Sequence, residues 1–169
     1  MSKKRIMMVM VVAVVFVFGF TGTGMAFGTK DLDNEKIAVN FQCEVERGGY
    51  KVVNTGELKN WIDQKKDMII VDTMPFEDSY KKAHIPAALN FVFPIPEMTT
   101  IDDKAKIDLL KMLGQNKDRL IIFYCGFTQC TRSHNAAMWA TKLGYMNIYR
   151  YPGGIKAWDQ AEYPVEKSN

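Results

Sequence analysis

Nine consecutive residues hold the densest chemistry in this chain: Cys125, Gly126, Phe127, Thr128, Gln129, Cys130, Thr131, Arg132 and Ser133. A cysteine attacks as its thiolate, and nearby backbone N–H groups, the N-terminal end of a helix and a fixed positive charge all favour that form. Cys125 directly follows the apolar run from Leu120 to Tyr124, which predicts a buried strand, and a helix is expected from Ser133 to Leu143. Ligands in open α/β sheets collect beyond the carboxyl ends of strands, where Cys125 stands. It is therefore the expected catalytic nucleophile. Residues Gly126 to Ser133 are expected to bind substrate, with Arg132 offering an oxyanion a planar fork of donors.

The rest of the chain supplies the elements that must hold this loop. Apolar residues alternate at Ile37, Val39, Phe41, Cys43 and Val45, which predicts a half-buried strand with Cys43 on its apolar face. Gly48-Gly49 then predicts a turn into Tyr50 to Val53, giving an N-terminal β-hairpin. Asn54 with Glu57 resembles a capping box opening a helix that ends around Lys65. Met68 to Val71 reads as a strand buried on both faces, ending at Asp72. Thr73 to Ala83 reads as irregular, Leu89 to Phe93 as extended, and Asp102 or Asp103 opens a helix closed at Gly114. Asn147 to Arg150 predicts a last strand, and Gly153-Gly154 a short final helix through Trp158. Short apolar strands alternating with helices predict one α/β domain around a central, mostly parallel sheet flanked by helices.

Across about Val52 to Val165 the sequence resembles the rhodanese-like sulfurtransferases. The resemblance rests on several motifs in order: Met68-Ile69-Ile70-Val71-Asp72, His84-Ile85-Pro86-Ala87-Ala88, Tyr124-Cys125 followed by Arg132-Ser133, and Gly144-Tyr145, Asn147-Ile148-Tyr149 and Gly153-Gly154-Ile155-Lys156-Ala157-Trp158. It implies that Cys125 takes sulfane sulfur from a small anionic donor such as thiosulfate or polysulfide, becomes a persulfide, and passes the outer sulfur to a thiol or cyanide-like acceptor, or to a protein acceptor. No cofactor is implied. The chain departs from the family pattern in three ways. Arg132 lies seven positions after Cys125 where the pattern has five, Cys130 stands inside the lengthened loop, and Met74 replaces the usual Arg after the strand-end Asp.

Cys130 reads in three ways: an incidental thiol, a resolving or relay thiol that attacks the persulfide or pairs reversibly with Cys125, or the primary nucleophile itself. Cys125, Cys130 and His134 make only three potential metal ligands, so no metal site is expected. His134 falls in the first turn of its helix. His84 and Asp72 read as structural, satisfying local hydrogen bonds, and the glycines at 153 and 154 as permitting close approach to the loop.

The first residues set the compartment in which these thiols are read. Lys3, Lys4 and Arg5 precede an apolar run of fifteen residues from Ile6 to Phe20, then small residues through Ala26. That is the pattern of a secretory signal peptide, with cleavage expected before Phe27 and a periplasmic or secreted protein. Membrane attachment would arise only through an uncleaved signal. The expected organisation is residues 1–26 signal, 27–51 hairpin extension and 52–169 rhodanese-like domain. Removing Lys3, Lys4 and Arg5 takes the formal charge from +3 to zero, which excludes the clustered basic surface that nucleic-acid binding needs. The rival readings are a thiol-disulfide redox protein or sensor using Cys125 and Cys130, a non-catalytic binding module, and a phosphatase or arsenate reductase of related architecture.

Overall fold

The computed structural model of the chain describes residues 30–168. The expected signal peptide lies outside the described residues. Five strands form one all-parallel sheet: β1 (Lys51–Val52), β2 (Met68–Asp72), β3 (Leu89–Asn90), β4 (Leu120–Tyr124) and β5 (Ile148–Tyr151), in the spatial order β1-β5-β4-β2-β3. Asp72 pairs with Tyr124, and Tyr124 with Tyr151, so three strands end level at their carboxyl edge. Parallel strands need crossovers, and helices α2 (Thr55–Asp63), α3 (Asp103–Leu113) and α4 (Arg132–Lys142) supply most of them, while α5 (Gly154–Gln160) follows the last strand.

The period-2 geometry of a strand sorts the core into two layers. Ile69, Val71, Ile121 and Phe123 face Leu109 and Leu113 of α3 and Ala136, Ala137 and Ala140 of α4. Ile70, Ile122 and Tyr124 face Leu58 and Trp61 of α2 and Trp158 of α5. Alanines on α4 let that helix lie close against the sheet beside the end of β4. The expected caps are present: Asn54 Oδ1 accepts from Glu57 N–H at 2.9 Å, and Asp102 Oδ1 from Ala105 N–H at 2.9 Å. The stretch read as irregular contains a short π-helical turn, Phe76–Tyr80.

The N-terminal β-hairpin is corrected. Residues Asp31–Gly48 form one helix, α1, packed on α4, and Gly49 (φ 64°) stops it with its N–H on the carbonyl of Val45 at 2.9 Å. The alternation at residues 37 to 45 includes Val39, which is 56% exposed. The inward face is Ile37, Phe41, Glu44, Val45 and Gly48, a helical spacing whose centre is a carboxylate. Glu44, 4% exposed, forms an ion pair with the fully buried Arg150 of β5. A hydrophobic pattern cannot register a charged residue that points inward to meet a charge over a hundred positions away. Cys43 accordingly sits half-buried on a helix instead of on a strand, and its thiol is free. β1 is a two-residue strand parallel to β5.

Removing Glu44 leaves a guanidinium buried without its counter-charge, a loss of about 3–5 kcal/mol. Glu44→Ala should therefore lower the urea midpoint strongly, whereas Val39→Ala, on the exposed side of α1, should change stability by less than about 0.5 kcal/mol. Equal effects of the two substitutions would contradict the helical register.

Candidate functional site

β4 is buried along its whole length and delivers Cys125 to the level carboxyl edge of the sheet. The loop that follows is pinned from its neighbours' backbone. Ile155 N–H donates to the carbonyl of Cys125 at 2.9 Å and Lys156 N–H to that of Gly126 at 3.2 Å. Gly154 makes this approach possible. Its φ is +61°, and a Cβ there would lie 2.3 Å from the Cys125 carbonyl oxygen, so the expected close approach of the glycine pair is present. Met74, in the position where the family pattern has Arg, rests its thioether against Gly126. A turn closed by Cys130 N–H on the Phe127 carbonyl, at 3.0 Å, then brings the chain into α4.

Thr131 contributes no side-chain cap to α4. The orphan amides of that helix face sulfur instead: Arg132 N–H is directed at Cys130 and Ser133 N–H at Cys125. The two thiols differ in what else surrounds them. Cys125 is 1% exposed, and its S–H donates to the carbonyl of Cys130 at 3.1 Å, with the carbonyl of Phe127 at 3.7 Å. Carbonyl oxygens repel a thiolate. Burial, then the neighbouring Cys130 sulfur, push the Cys125 thiol well above its ordinary value. Cys130 is 8% exposed. The neighbouring Cys125 thiol is the largest influence holding Cys130 down, against the opposing effect of burial. The N–H groups of Arg132 and Gly126 and the Arg132 charge add to it, and the thiol is lowered to about 6.

Beneath the loop lies a residue the sequence pattern did not single out. Arg150 is fully buried, donates Nε to Ser133 Oγ at 3.0 Å, and sends Nη2 to the carbonyls of Thr128 at 2.9 Å and Cys130 at 3.2 Å. Its Nη1 meets Glu44 and Tyr50 Oη. Because Ser133 Oγ accepts from Arg150, its own proton is free to donate to Cys125 Sγ, 3.2 Å away. The network continues outward: Tyr50 Oη contacts His134 Nδ1 at 2.8 Å, and His134 Nε2 lies 3.5 Å from Glu97. Burial lowers the His134 pKa and pushes Tyr50 up to about 12, so a neutral His134 accepts from a protonated Tyr50. One sequence signal existed, an arginine within a short strand otherwise built of Ile and Tyr. Glu44 and Tyr50 had none, since they join the site from another element.

The other expected site residues divide. Gly126 and Ser133 are buried within the site, and Thr128 and Cys130 turn their carbonyls inward to Arg150. Phe127 is 41% exposed at the rim with Lys156 Nζ over its ring at 4.5 Å. Thr128 and Gln129 form one wall of a cleft of about 580 Å³ against α1, opposite Ile37, Asn40 and Phe41. Arg132 donates Nη1 to the carbonyl of Phe93, tying the loop to the segment after β3. Its other guanidinium N–H groups make no hydrogen bond among the described residues. Thr131, half-buried, leads into the helix. His134 faces away from the sulfurs, and among the described residues no group of three His, Cys, Asp or Glu is placed to hold a metal. His84 contacts the carbonyl of Tyr80 through Nδ1 and stacks on that ring, and Asp72 accepts from Met74 N–H at 2.8 Å, both structural placements.

The two thiols should alkylate differently. With iodoacetamide and peptide mapping, Cys130 should react with a midpoint near pH 6, below the ~8.5 of a free cysteine, its rate falling about tenfold per pH unit below the midpoint. Cys125 should stay unmodified until the protein is unfolded. Equal labelling of both at neutral pH would contradict the assigned donors and acceptors.

Comparison with known proteins agrees with this architecture. A Rhodanese-like domain model matches residues 54–161. Among solved structures, a Bacillus halodurans protein is 26% identical with a TM-score of 0.55, covering 80% of this chain and 86% of its own. Thiosulfate sulfurtransferase from Pseudomonas aeruginosa is 19% identical with a TM-score of 0.59, over 79% of this chain and 23% of that longer one. The polysulfide-sulfur transferase homodimer of Wolinella succinogenes is 10% identical with a TM-score of 0.56, over 83% and 93%. The last two share the fold. No curated protein matches. A five-stranded parallel sheet with its two-cysteine loop after the central strand, together with a family match spanning well over half of the chain, makes this protein a member of the rhodanese-like domain family.

Proposed function

We propose that this protein is a sulfurtransferase. It takes sulfane sulfur from thiosulfate or polysulfide, holds it as a persulfide within the Cys125–Cys130 loop, and passes the outer sulfur to a thiophilic acceptor. The observation that carries the reading is a pair of free thiols at the carboxyl edge of the sheet with the N–H groups of Gly126, Arg132 and Ser133 directed at sulfur. With thiosulfate, thiolate attack on the outer sulfur forms an S–S bond, breaks the bond to the sulfonate sulfur and expels sulfite. The acceptor then attacks the outer sulfur of the persulfide and regenerates the thiolate. Donors already aimed at a negative sulfur stabilise both states without reorganising.

The rim supports an anionic donor. Arg132 keeps unpartnered N–H groups there and Lys156 stands over Phe127. The cleft between the loop and α1 has room for an acceptor larger than cyanide, a thiol or a protein segment. The phosphatase reading lacks support at the loop, where none of the residues from Gly126 to Ser133 is a carboxylic acid able to protonate a leaving group. Export belongs to the same proposal and is supported by the basic and apolar pattern of residues 3–26.

Thiosulfate-to-cyanide and polysulfide-to-cyanide transfer, run beside phosphate-ester hydrolysis, tests the function. Transfer should be present in the wild type and lost by at least about a thousandfold when both loop cysteines are replaced by serine. Hydrolysis without sulfur transfer would overturn it. For export, the chain recovered from a secreting bacterial host should begin at Phe27, and a chain retained in the cytosol with Met1 intact would contradict it.

A further inference from the structure

The two loop cysteines are not equivalent, and their difference points to a second activity. Cys125 is sealed: its sulfur is enclosed by the carbonyls of Phe127 and Cys130 and the hydroxyl of Ser133, and it is 1% exposed. Cys130 is the more exposed of the two, at 8%. The Cys125 thiol donates to the backbone carbonyl of Cys130 at 3.1 Å, which places its sulfur beside that residue, and the N–H groups of Gly126 and Arg132 favour a negative Cys130 sulfur. A persulfide on Cys130 therefore forms beside a protonated thiol. Arg150 holds this arrangement, because it fixes the carbonyl of Cys130 and the hydroxyl of Ser133 from below. The remaining described cysteine, Cys43, lies on α1 and lines a separate surface depression with Leu32, Val39 and Arg47.

Building on the sulfur-transfer reading, we propose that Cys130 takes the sulfane sulfur and that Cys125 resolves it, attacking the inner sulfur of the Cys130 persulfide to close a Cys125–Cys130 disulfide and release sulfide. The protein then reduces sulfane sulfur as well as transferring it. The balance is simple. The persulfide Cys130–S–SH and the thiol Cys125–SH give Cys125–S–S–Cys130 and H2S: one S–S bond breaks as another forms, and the Cys125 proton leaves with the departing sulfide. Two electrons pass from the pair of thiols to the transferred sulfur. An external dithiol, as a small molecule or a dithiol protein, reopens the disulfide for the next turnover. External acceptors compete with Cys125 for the persulfide, so acceptor supply decides between transfer and reduction.

The test uses the pre-reduced full chain, thiosulfate as donor and no added thiol. Wild type should release one equivalent of sulfite and then one of sulfide. The tryptic peptide from Leu120 to Arg132, which carries both cysteines, should become two hydrogens lighter through an internal disulfide. Cys125→Ser and Cys125→Ala should release sulfite but no sulfide and keep a persulfide on Cys130. Cys130→Ser should release neither. Each variant is first checked for a native thermal transition, and the wild-type disulfide is read independently of all of them. A stable persulfide on Cys125 in the wild type, or sulfite release by Cys130→Ser, overturns the assignment while leaving sulfur transfer standing. Absence of sulfite and of persulfide from the wild type, with polysulfide as well as thiosulfate, overturns the sulfur-transfer reading and this inference together.

Discussion

A guanidinium carries five N–H donors and keeps its charge at any pH a protein meets, so an arginine buried inside a domain must find acceptors for all of them. Arg150, at the carboxyl end of β5, finds them in Glu44, Tyr50, Ser133 and the backbone carbonyls of Thr128 and Cys130. Those partners come from α1 and the turn that follows it, from α4 and from the cysteine loop. The requirement to satisfy one buried charge thus joins three separate pieces of chain around a single point. It also sets the polarity of the loop: where Thr128 and Cys130 point their carbonyls down to Arg150, planar trans peptides turn the N–H groups of Gln129 and Thr131 the opposite way.

The same constraint explains how two cysteines five positions apart come to differ. The Cys130 carbonyl is held inward by Arg150 and accepts from the Cys125 thiol as well, so Cys125 faces an acceptor and remains protonated. Cys130 lies where Arg132 N–H and Gly126 N–H converge, and it faces donors. In a low-dielectric loop, the direction of a few peptide dipoles outweighs the chemical identity of the side chains. The address immediately after β4, which marks Cys125 in the sequence, is the more enclosed of the two.

The helix α1 is more than an appendage. Through Glu44 it neutralises Arg150, and through Phe41 and Asn40 it forms one wall of the cleft whose other wall is Thr128 and Gln129. The polar chain from Arg150 through Tyr50 and His134 to Glu97 and Arg47 continues that contact to the surface, where Arg47 forms a 2.7 Å ion pair with Glu97. On the opposite side, α5 holds the loop through its backbone N–H groups, with Gly154 lying where any side chain would collide with the Cys125 carbonyl and Lys156 resting over Phe127. The two-cysteine loop is thus clamped by a charge network on one side and by amides on the other.

Much of this was determined by the amino-acid sequence alone, because the signals are local. Apolar runs at Met68–Asp72 and Leu120–Tyr124 specify strands buried on both faces, Asn54 and Asp102 specify helix starts, and Gly114 specifies a helix end. The position of Cys125 and Cys130 between strand and helix, with Arg132 and Ser133 at the helix start, follows from the same patterns. Three things were decided only by the tertiary structure. Residues 31–48 form a helix whose inward face carries Glu44 to Arg150, a partner that no local window contains. Arg132 was drawn to the Phe93 carbonyl, leaving the organising charge of the loop to Arg150. The ionisation of the two thiols was set by which carbonyls and which N–H groups face each sulfur. Hydrophobic periodicity records which side of an element is apolar; the pairing of buried charges and the aim of peptide dipoles exist only once distant segments are packed together.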